Sequence, residues 1–409
     1  MKKIFVTVVL STVSLCSHAQ KHMMSMEQCI DFALANNYGM KAALKGVERA
    51  KSLQGTAWDI DKTEFSVSQD PTSGGGPDNA ISISQSIDFP TMYIAKHKLL
   101  KAETKAEQSK FGVTAAQLKT QVASAYCDLL FINERIAILK QQDSILTRFR
   151  DVIKKKYEAG ETRQLELLSA NKLLMECGIE MNSAKAEQAI GYGKLSTLMN
   201  TKEQFDVMQS QFEPKENYKL EMFNYAKTPN SEYAADRMAV AERMISVEKS
   251  GYSPSLSVAL RNQLVFSSWN PYNEDRSRYK GGNFMGFEVG VSVPLFFGAN
   301  KARVKAAKKS REQLAMEIDE EKIRMSQEYA TLQNNCMEAY NRYKLLDEEV
   351  KGNTANMMRL AMTEYENGEI SYLEFITAHQ QVIEVSIKRA TAINDYNQGM
   401  IQLWRYGRK

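Results

Sequence analysis

One fourteen-residue stretch of this chain occurs twice. Tyr157 to Ala170 returns as Tyr365 to Ala378, an offset of 208 positions (365 − 157), and seven of the fourteen residues are identical. Each copy sets a glycine, Gly160 or Gly368, between two runs of helical periodicity, where the missing Cβ lets the backbone turn sharply. Each copy therefore reads as the tip of a long helical hairpin. A second pair of segments keeps the same spacing: Ser84 to Phe89 matches Ser292 to Phe297, and both run straight into a basic helix. The chain is a tandem duplication, and any function belongs to a doubled unit.

The 409 residues include only 8 prolines and 21 glycines, too few for a many-turned β protein and well suited to long helices. Residues 1–19 carry a basic start (Lys2, Lys3), an apolar run from Ile4 to Leu10 and small residues before a cut after Ala19, the pattern of a secretory signal. The alternative is lipidation at Cys16, where Leu15 stands in place of the expected small residue. Without the two signal lysines, 51 basic residues (53 − 2) face 49 acidic ones. So balanced a charge argues against nucleic acid or an acidic polymer as partner. No apolar run of eighteen residues follows the signal, so any membrane portion is built from strands. The four remaining cysteines, Cys29, Cys127, Cys177 and Cys336, lack C-x-x-C spacing and read as free and buried, with a Cys127–Cys336 disulfide as the alternative.

In chain order, Ser25 and Gln28 form a candidate capping box for a first helix, with a second from about Lys41 to Trp58. Phe65, Val67, Ile81, Ile83 and Ile87 then alternate with serines, a period of two that gives a sheet one apolar and one polar face. The second half repeats this with Leu256, Val258 and Leu260, then Phe287, Val289, Val291 and Val293, and the loops Asp70–Asn79 and Ser267–Gly282 join the two strand pairs. Arg261 and Glu288 fall on the polar face, which should therefore line water. After each strand pair comes a long helix. Leu118, Val122, Ala125, Leu129, Ile132, Ile136 and Leu139 step by four and three, Ile318, Met325, Leu332, Ala339 and Leu346 recur every seven, and Leu373, Ile376, Gln380, Ile383, Ile387 and Ala390 continue the rhythm on the return.

The expected division is a signal peptide at 1–19, N-terminal helices at 20–61, a first β-hairpin at 62–90, a coiled-coil hairpin at 91–200 with its tip near Gly160, and an equatorial connector at 201–230. A short helix at 231–253, a second β-hairpin at 254–298, a second coiled-coil hairpin at 299–396 with its tip near Gly368, and a tail at 397–409 complete it. The connector and tail read as a belt of short helices. The fold class is mainly α with a membrane β-barrel portion. Four strands cannot close a barrel, and an open edge in lipid leaves backbone groups unpaired. Two chains supply eight strands with a side-chain-filled interior, and three supply twelve with room for a channel. A homotrimer is thus the smallest conducting assembly.

At this point the chain resembles the outer-membrane efflux protein family, the TolC-like exit ducts of Gram-negative export systems. The carriers are the paired Tyr-Glu-x-Gly tips with Leu165-Glu-Leu-Leu and Leu373-Glu-Phe-Ile after them, the strand ends Ile87-Asp-Phe89 and Pro294-Leu-Phe-Phe-Gly298, and the strand start Pro254-Ser-Leu-Ser257. The resemblance implies an exit duct in a tripartite efflux or type I-like export system. In it a trimeric 12-stranded barrel stands in the outer membrane on a helical barrel crossing the periplasm. A periplasmic adaptor, or membrane fusion protein, couples it to an inner-membrane pump of RND or ABC type.

The resemblance also implies that Gly160, Glu161, Thr162, Gly368, Glu369 and Ile370 meet the adaptor, and that Arg163, Glu166, Tyr372 and Glu374 line a periplasmic gate. Glu166 and Glu374 from three chains would form acidic rings. Read locally, the same carboxylates are helix N-terminal charges favoured by the macrodipole, or solvated faces. The lysines and arginines after the strands read equally as contacts for outer-membrane lipid headgroups or as solvated helix faces. Met357, Met358 and Met362 suit copper(I) by chemistry and helix packing by position. His97 and His379 have no ligand-spaced neighbours, and no catalytic motif, cofactor fingerprint or metal-ligand spacing appears. The chain does not read as an enzyme. The alternatives are a periplasmic coiled-coil adaptor, which normally has a single hairpin, and a structural scaffold, which leaves the amphipathic strands unexplained.

Overall fold

The computed structural model describes residues 22–71, 77–208, 212–214, 221–264 and 283–407. The expected signal segment with Cys16, the Ser267–Gly282 loop and parts of the Asp70–Asn79 turn and the connector lie outside the described residues. The chain is organised in two compact units, one of residues 1–36, 121–215 and 339–398, the other of 37–120, 216–338 and 399–409. No helix of the described residues is long and apolar enough to cross a membrane.

The second unit holds the sheet. Strands β2 (Glu64–Pro71), β3 (Pro77–Asp88), β5 (Ser255–Leu264) and β6 (Asn283–Ser292) form one antiparallel sheet in that order. The register sets Ile83 opposite Phe65 and Leu260, and Leu260 opposite Phe287; Ile87, Leu256 and Val291 align the same way. The intervening row of Ser82, Arg261 and Gly286, like that of Ser84, Ala259 and Glu288, is on the other face. Because side chains alternate along a strand, one face is apolar and the other polar. The apolar face has no cover: Phe65 is 72% and Phe287 81% exposed. The sheet is open, with β2 and β6 as edges.

Around the sheet's base, α2 (Tyr38–Leu53) starts three residues earlier than the sequence indicates (41 − 38), capped by Asn37, whose side chain accepts from the Gly39 and Met40 amides. Its last turn tightens to a 3₁₀ turn at Gln54–Trp58, and Trp58 stacks on Tyr93 with ring centroids 5.7 Å apart. Tyr93 lies in the first turns of α3 (Pro90–Glu158), an uninterrupted 69-residue helix that starts on a proline, whose fixed φ suits a first helical position. Helix α5 (Pro229–Ser250) is capped by Thr228, whose hydroxyl accepts from Ser231, and Lys105 of α3 reaches the buried Asp236 at 2.9 Å. Helix α6 (Gly298–Glu349) follows β6.

In the first unit, α1 (Met26–Asn36) opens with the expected box: the Ser25 amide donates to Gln28 Oε1 at 2.9 Å and the Gln28 amide to Ser25 Oγ at 3.2 Å. It packs on α4 (Gln164–Met199). Strand β1 (His22–Met24) pairs in parallel with β4 (Phe205–Val207), so the described part of the connector includes a two-stranded sheet and not only the expected short helices. Three-residue strands are too short to show a period of two, which is why the sequence pattern missed them. The Tyr126 hydroxyl lies 3.1 Å from both the Met24 and Met208 carbonyls and fixes this pair to α3. Cys29, Cys127, Cys177 and Cys336 are all free and buried.

Two further departures concern the second hairpin. The outgoing helix is continuous from α6 into α7 (Ala355–Asn367) but widens to a π turn at Val350–Thr354. Gly352, Asn353 and Thr354 are poor helix formers, and the Asn353 amide and Thr354 hydroxyl turn back to the Glu349 carboxylate and carbonyl. The return helix α8 (Tyr372–Leu403) runs past the expected end at 396, so the tail is mostly helix. Its buried stripe differs in part: Ile376 and Ala390 are buried as expected and Phe375, His379 and Ile393 join them, while Leu373 and Gln380 are exposed. A histidine in the middle of the true stripe hid it.

Candidate functional site: the paired hairpin tips

The two repeated segments close in the same way. Gly160 has φ +77° and Gly368 φ +78°, left-handed values that cost a side-chain-bearing residue about 1–2 kcal/mol. The Glu161 amide donates to the Lys156 carbonyl and the Glu369 amide to the Glu364 carbonyl, both at 2.8 Å, while each glycine amide bonds three residues back. These are paired helix-ending bonds of the Schellman type, which satisfy carbonyls that the helix end would leave bare.

The restart differs between copies. Ser371 caps α8 by a full box: its amide and hydroxyl donate to the Glu374 carboxylate at 2.7 Å each, and the Glu374 amide donates back to the hydroxyl at 3.3 Å. These bonds hold the Glu374 carboxyl below the ordinary range, so it stays ionised. At the matching position of the first copy stands Arg163, which makes no cap bond, and Glu166 instead accepts from the Thr162 hydroxyl at 2.5 Å. Both proposed ring glutamates thus have local partners. Arg163 and Glu374 are exposed, whereas Glu166 and Tyr372 are half-buried. Tyr372 sits against Phe149, its hydroxyl pushed upward in pKa by burial despite a hydrogen bond from Ser169, and also by the nearby Glu166 charge. Of the six expected adaptor-facing residues, Gly160, Glu161, Gly368 and Glu369 are exposed and Thr162 and Ile370 half-buried.

Between the tips lies a core that the sequence reading missed. Phe149 stacks on Phe375 with centroids 3.8 Å apart and planes 16° apart, and Tyr365 leans on both. Ile153, Ala170, Met358, Ala361, Met362 and Ile376 complete the buried cluster, so the methionines are packing residues here. Among the described residues no cluster of His, Cys, Asp or Glu is placed to hold a metal ion. Lys156 donates to the Tyr365 carbonyl at 2.7 Å and lies 4.6 Å from the centre of that tyrosine's ring, and Arg148 grips Glu366 through two nitrogens at 2.9 and 2.7 Å. Burial and the neighbouring Glu166 and Tyr372 push the Tyr365 hydroxyl up to about 12. These partners are 209 and 218 residues apart, and nothing local marks them. Phe375 was accessible to comparison of the copies, because it replaces Leu167 at the same repeat position.

His379 is 3% exposed, parallel to Phe375 at 6.3 Å, and its Nε2 has no hydrogen-bond partner. Burial lowers its pKa from 6.5 to about 4. Leu165 and Leu373, equivalent in the repeat, are each 71% exposed just beyond the glycines. Each tip therefore presents one bare leucine and an exposed turn glutamate, Glu161 or Glu369.

Residues 230–406 match the family model described as outer membrane efflux protein. The fold agrees over nearly the whole chain. A membrane protein from Pseudomonas aeruginosa superposes with TM-score 0.78 at 15% identity, covering 94% of this chain and 92% of its own. The Campylobacter jejuni CmeC outer membrane channel gives 0.73 at 16% (93% and 85%), and the Vibrio cholerae outer membrane protein VceC 0.72 at 13% (93% and 96%). No curated protein matches the sequence. Over residues 230–406 the chain is thus similar to the outer membrane efflux proteins, and its fold is that of the solved outer-membrane channels. The matched family is one of outer-membrane efflux ducts.

Proposed function

We propose that the chain is the outer-membrane exit duct of a tripartite export system. Three copies pool their strand pairs into one 12-stranded barrel, and the hairpin tips receive a periplasmic adaptor fed by an inner-membrane pump. The observation that carries this reading is the open four-stranded sheet with an uncovered apolar face: alone it leaves two edges unpaired, which hydrocarbon does not tolerate. Exposed apolar stripes support the same assembly. Leu165, Leu168, Met175 and Ile179 on α4, and Met316, Ile323 and Met337 on α6, recur at close to seven-residue spacing and are exposed, as a face meeting a second copy would be. A trimeric barrel should fractionate with outer membranes and shift in electrophoresis on boiling; a chain that stays monomeric in the periplasmic fraction refutes the reading.

At the tips, Gly160, Glu161, Thr162, Gly368, Glu369 and Ile370, joined by Leu165 and Leu373, form the adaptor contact in this proposal. Arg163, Glu166, Tyr372 and Glu374 line the gate, with the two glutamates as acidic rings. The depressed Glu374 pKa supports a ring that stays charged. Single-channel recordings of the trimer carrying Glu166→Gln and Glu374→Gln should lose cation preference. Unchanged selectivity refutes the rings without touching the duct.

A further inference from the structure

Below the sheet the charge is segregated in a way the duct reading does not use. Lys98 and Lys101 of α3 and Lys301, Arg303, Lys305 and Lys308 of α6 are exposed, and none makes an ion pair among the described residues. Further along α6, by contrast, Lys309 pairs with Glu312 at 2.6 Å and Arg311 with Glu242 at 3.1 Å. From 298 to 311 there are six basic residues and no acidic one, and none is acidic from 90 to 102. Helices α1, α4, α5 and α8 each carry an acid in the first turn, whereas α3 and α6, like α2 and α7, carry none. Cations so placed oppose the helix dipole and repel one another, costs that no ion pair among the described residues offsets.

Their position names the counter-charge. The α6 cluster begins eight residues after Val293 (301 − 293) and the α3 cluster eleven after Ile87 (98 − 87), and the connecting Phe89, Leu295 and Phe296 are themselves exposed. Lys301 to Lys308 spans about 10 Å of helix, comparable to the headgroup layer beyond a bilayer's hydrocarbon core. We propose that this basic belt binds the phosphate groups of anionic phospholipids at the periplasmic rim of the membrane. The belt rests on the reading that the sheet's apolar face meets lipid. Lysine and arginine are the residues that recognise such headgroups, and the apolar rim holds them at the right depth.

The test reconstitutes the full-length protein into vesicles of phosphatidylcholine alone and of phosphatidylcholine with phosphatidylglycerol. It then measures flotation with the vesicles and, by mass spectrometry, the lipids retained after detergent extraction. Wild type should float with both and enrich phosphatidylglycerol roughly tenfold over its share of the vesicle, an enrichment that high salt abolishes. The Lys301→Gln, Arg303→Gln, Lys305→Gln, Lys308→Gln variant should float equally well and enrich less than about twofold. A matched variant with the three lysines changed to arginine should behave as wild type. Flotation without enrichment overturns the belt and leaves the duct intact, and enrichment that survives the glutamine changes overturns the assignment to these residues. Failure to float with either vesicle overturns the membrane reading and the belt with it.

Discussion

The neutral histidine inside the tip core makes the tips sensitive to acid, and the size of the effect follows from its burial. His379 titrates near 6.5 when open to water and about 4 in place, because no partner compensates its charge among the aromatic rings. A base with a depressed pKa binds its proton more readily in the opened state. The contribution is therefore complete above pH 6.5 and falls as pH drops toward 4. A gap of about 2.5 units corresponds to about 3 kcal/mol in full, and about 2 kcal/mol is already lost at pH 5, a thirtyfold rise in the local opening constant. Hydrogen exchange of peptides from the Phe149 and Phe375 segments, corrected for intrinsic rates, should report this rise between neutral pH and pH 5. Peptides from the α1–α4 contact should not. His379→Leu, which keeps the ring pocket filled and removes the titration, should flatten the response. Equal acid sensitivity in wild type and variant would refute the assignment of the loss to this side chain.

Further expectations concern the tips and their core. Gly160→Ala and Gly368→Ala should each destabilise their turn by about 1–2 kcal/mol, read as faster exchange or proteolysis there. An added Cβ meets nothing within 4 Å at either glycine, so the cost is backbone strain alone, and asparagine should be tolerated better than alanine. Phe149→Ala removes the partner of three rings and should cost about 3–5 kcal/mol of tip stability in denaturant or exchange experiments. Ser371→Ala should cost α8 about 1 kcal/mol at its start. In the same variant the Glu374 pKa, measured by NMR titration, should rise toward its ordinary value, since both bonds that lower it come from Ser371 and one is lost.

The long elements were legible because their signals are redundant. Leu118, Val122, Ala125, Leu129, Ile136 and Leu139 are buried along α3 as their spacing indicates, and the strands alternate into one apolar and one polar face with Arg261 and Glu288 on the polar side. What escaped was tertiary or short. The parallel pairing of His22–Met24 with Phe205–Val207 and the π turn at Val350–Thr354 depend on contacts or on a few weak residues, not on periodicity. At the tips the glycine turns could be read from the sequence. The aromatic stack could not, because Phe149 and Phe375 are separated by most of the chain and their apposition is set by how the hairpins pack.

The repeat itself explains why the two tips are not interchangeable. At the 208-residue offset Arg163 corresponds to Ser371, Gln164 to Tyr372, Leu167 to Phe375 and Asn171 to His379. At these positions the cap and the rings thus belong to the second copy alone. The contact that joins the tips is not reciprocal either: Arg148 holds Glu366, while their counterparts, Asn356 and Glu158, form no such pair. Two identical hairpins meeting face to face would set like residues against like, and acidic turns against acidic turns. Divergence instead gave one hairpin the cations, Lys156 and Arg148, and the other the carbonyl and carboxylate that accept from them. Tyr157 and Tyr365 record the outcome, the same residue half out in water in one copy and buried in the other. Each hairpin keeps its equivalent leucine, Leu165 or Leu373, bare. What stayed common to the two copies is the turn and that leucine, and these are the features a partner approaching both tips would find repeated.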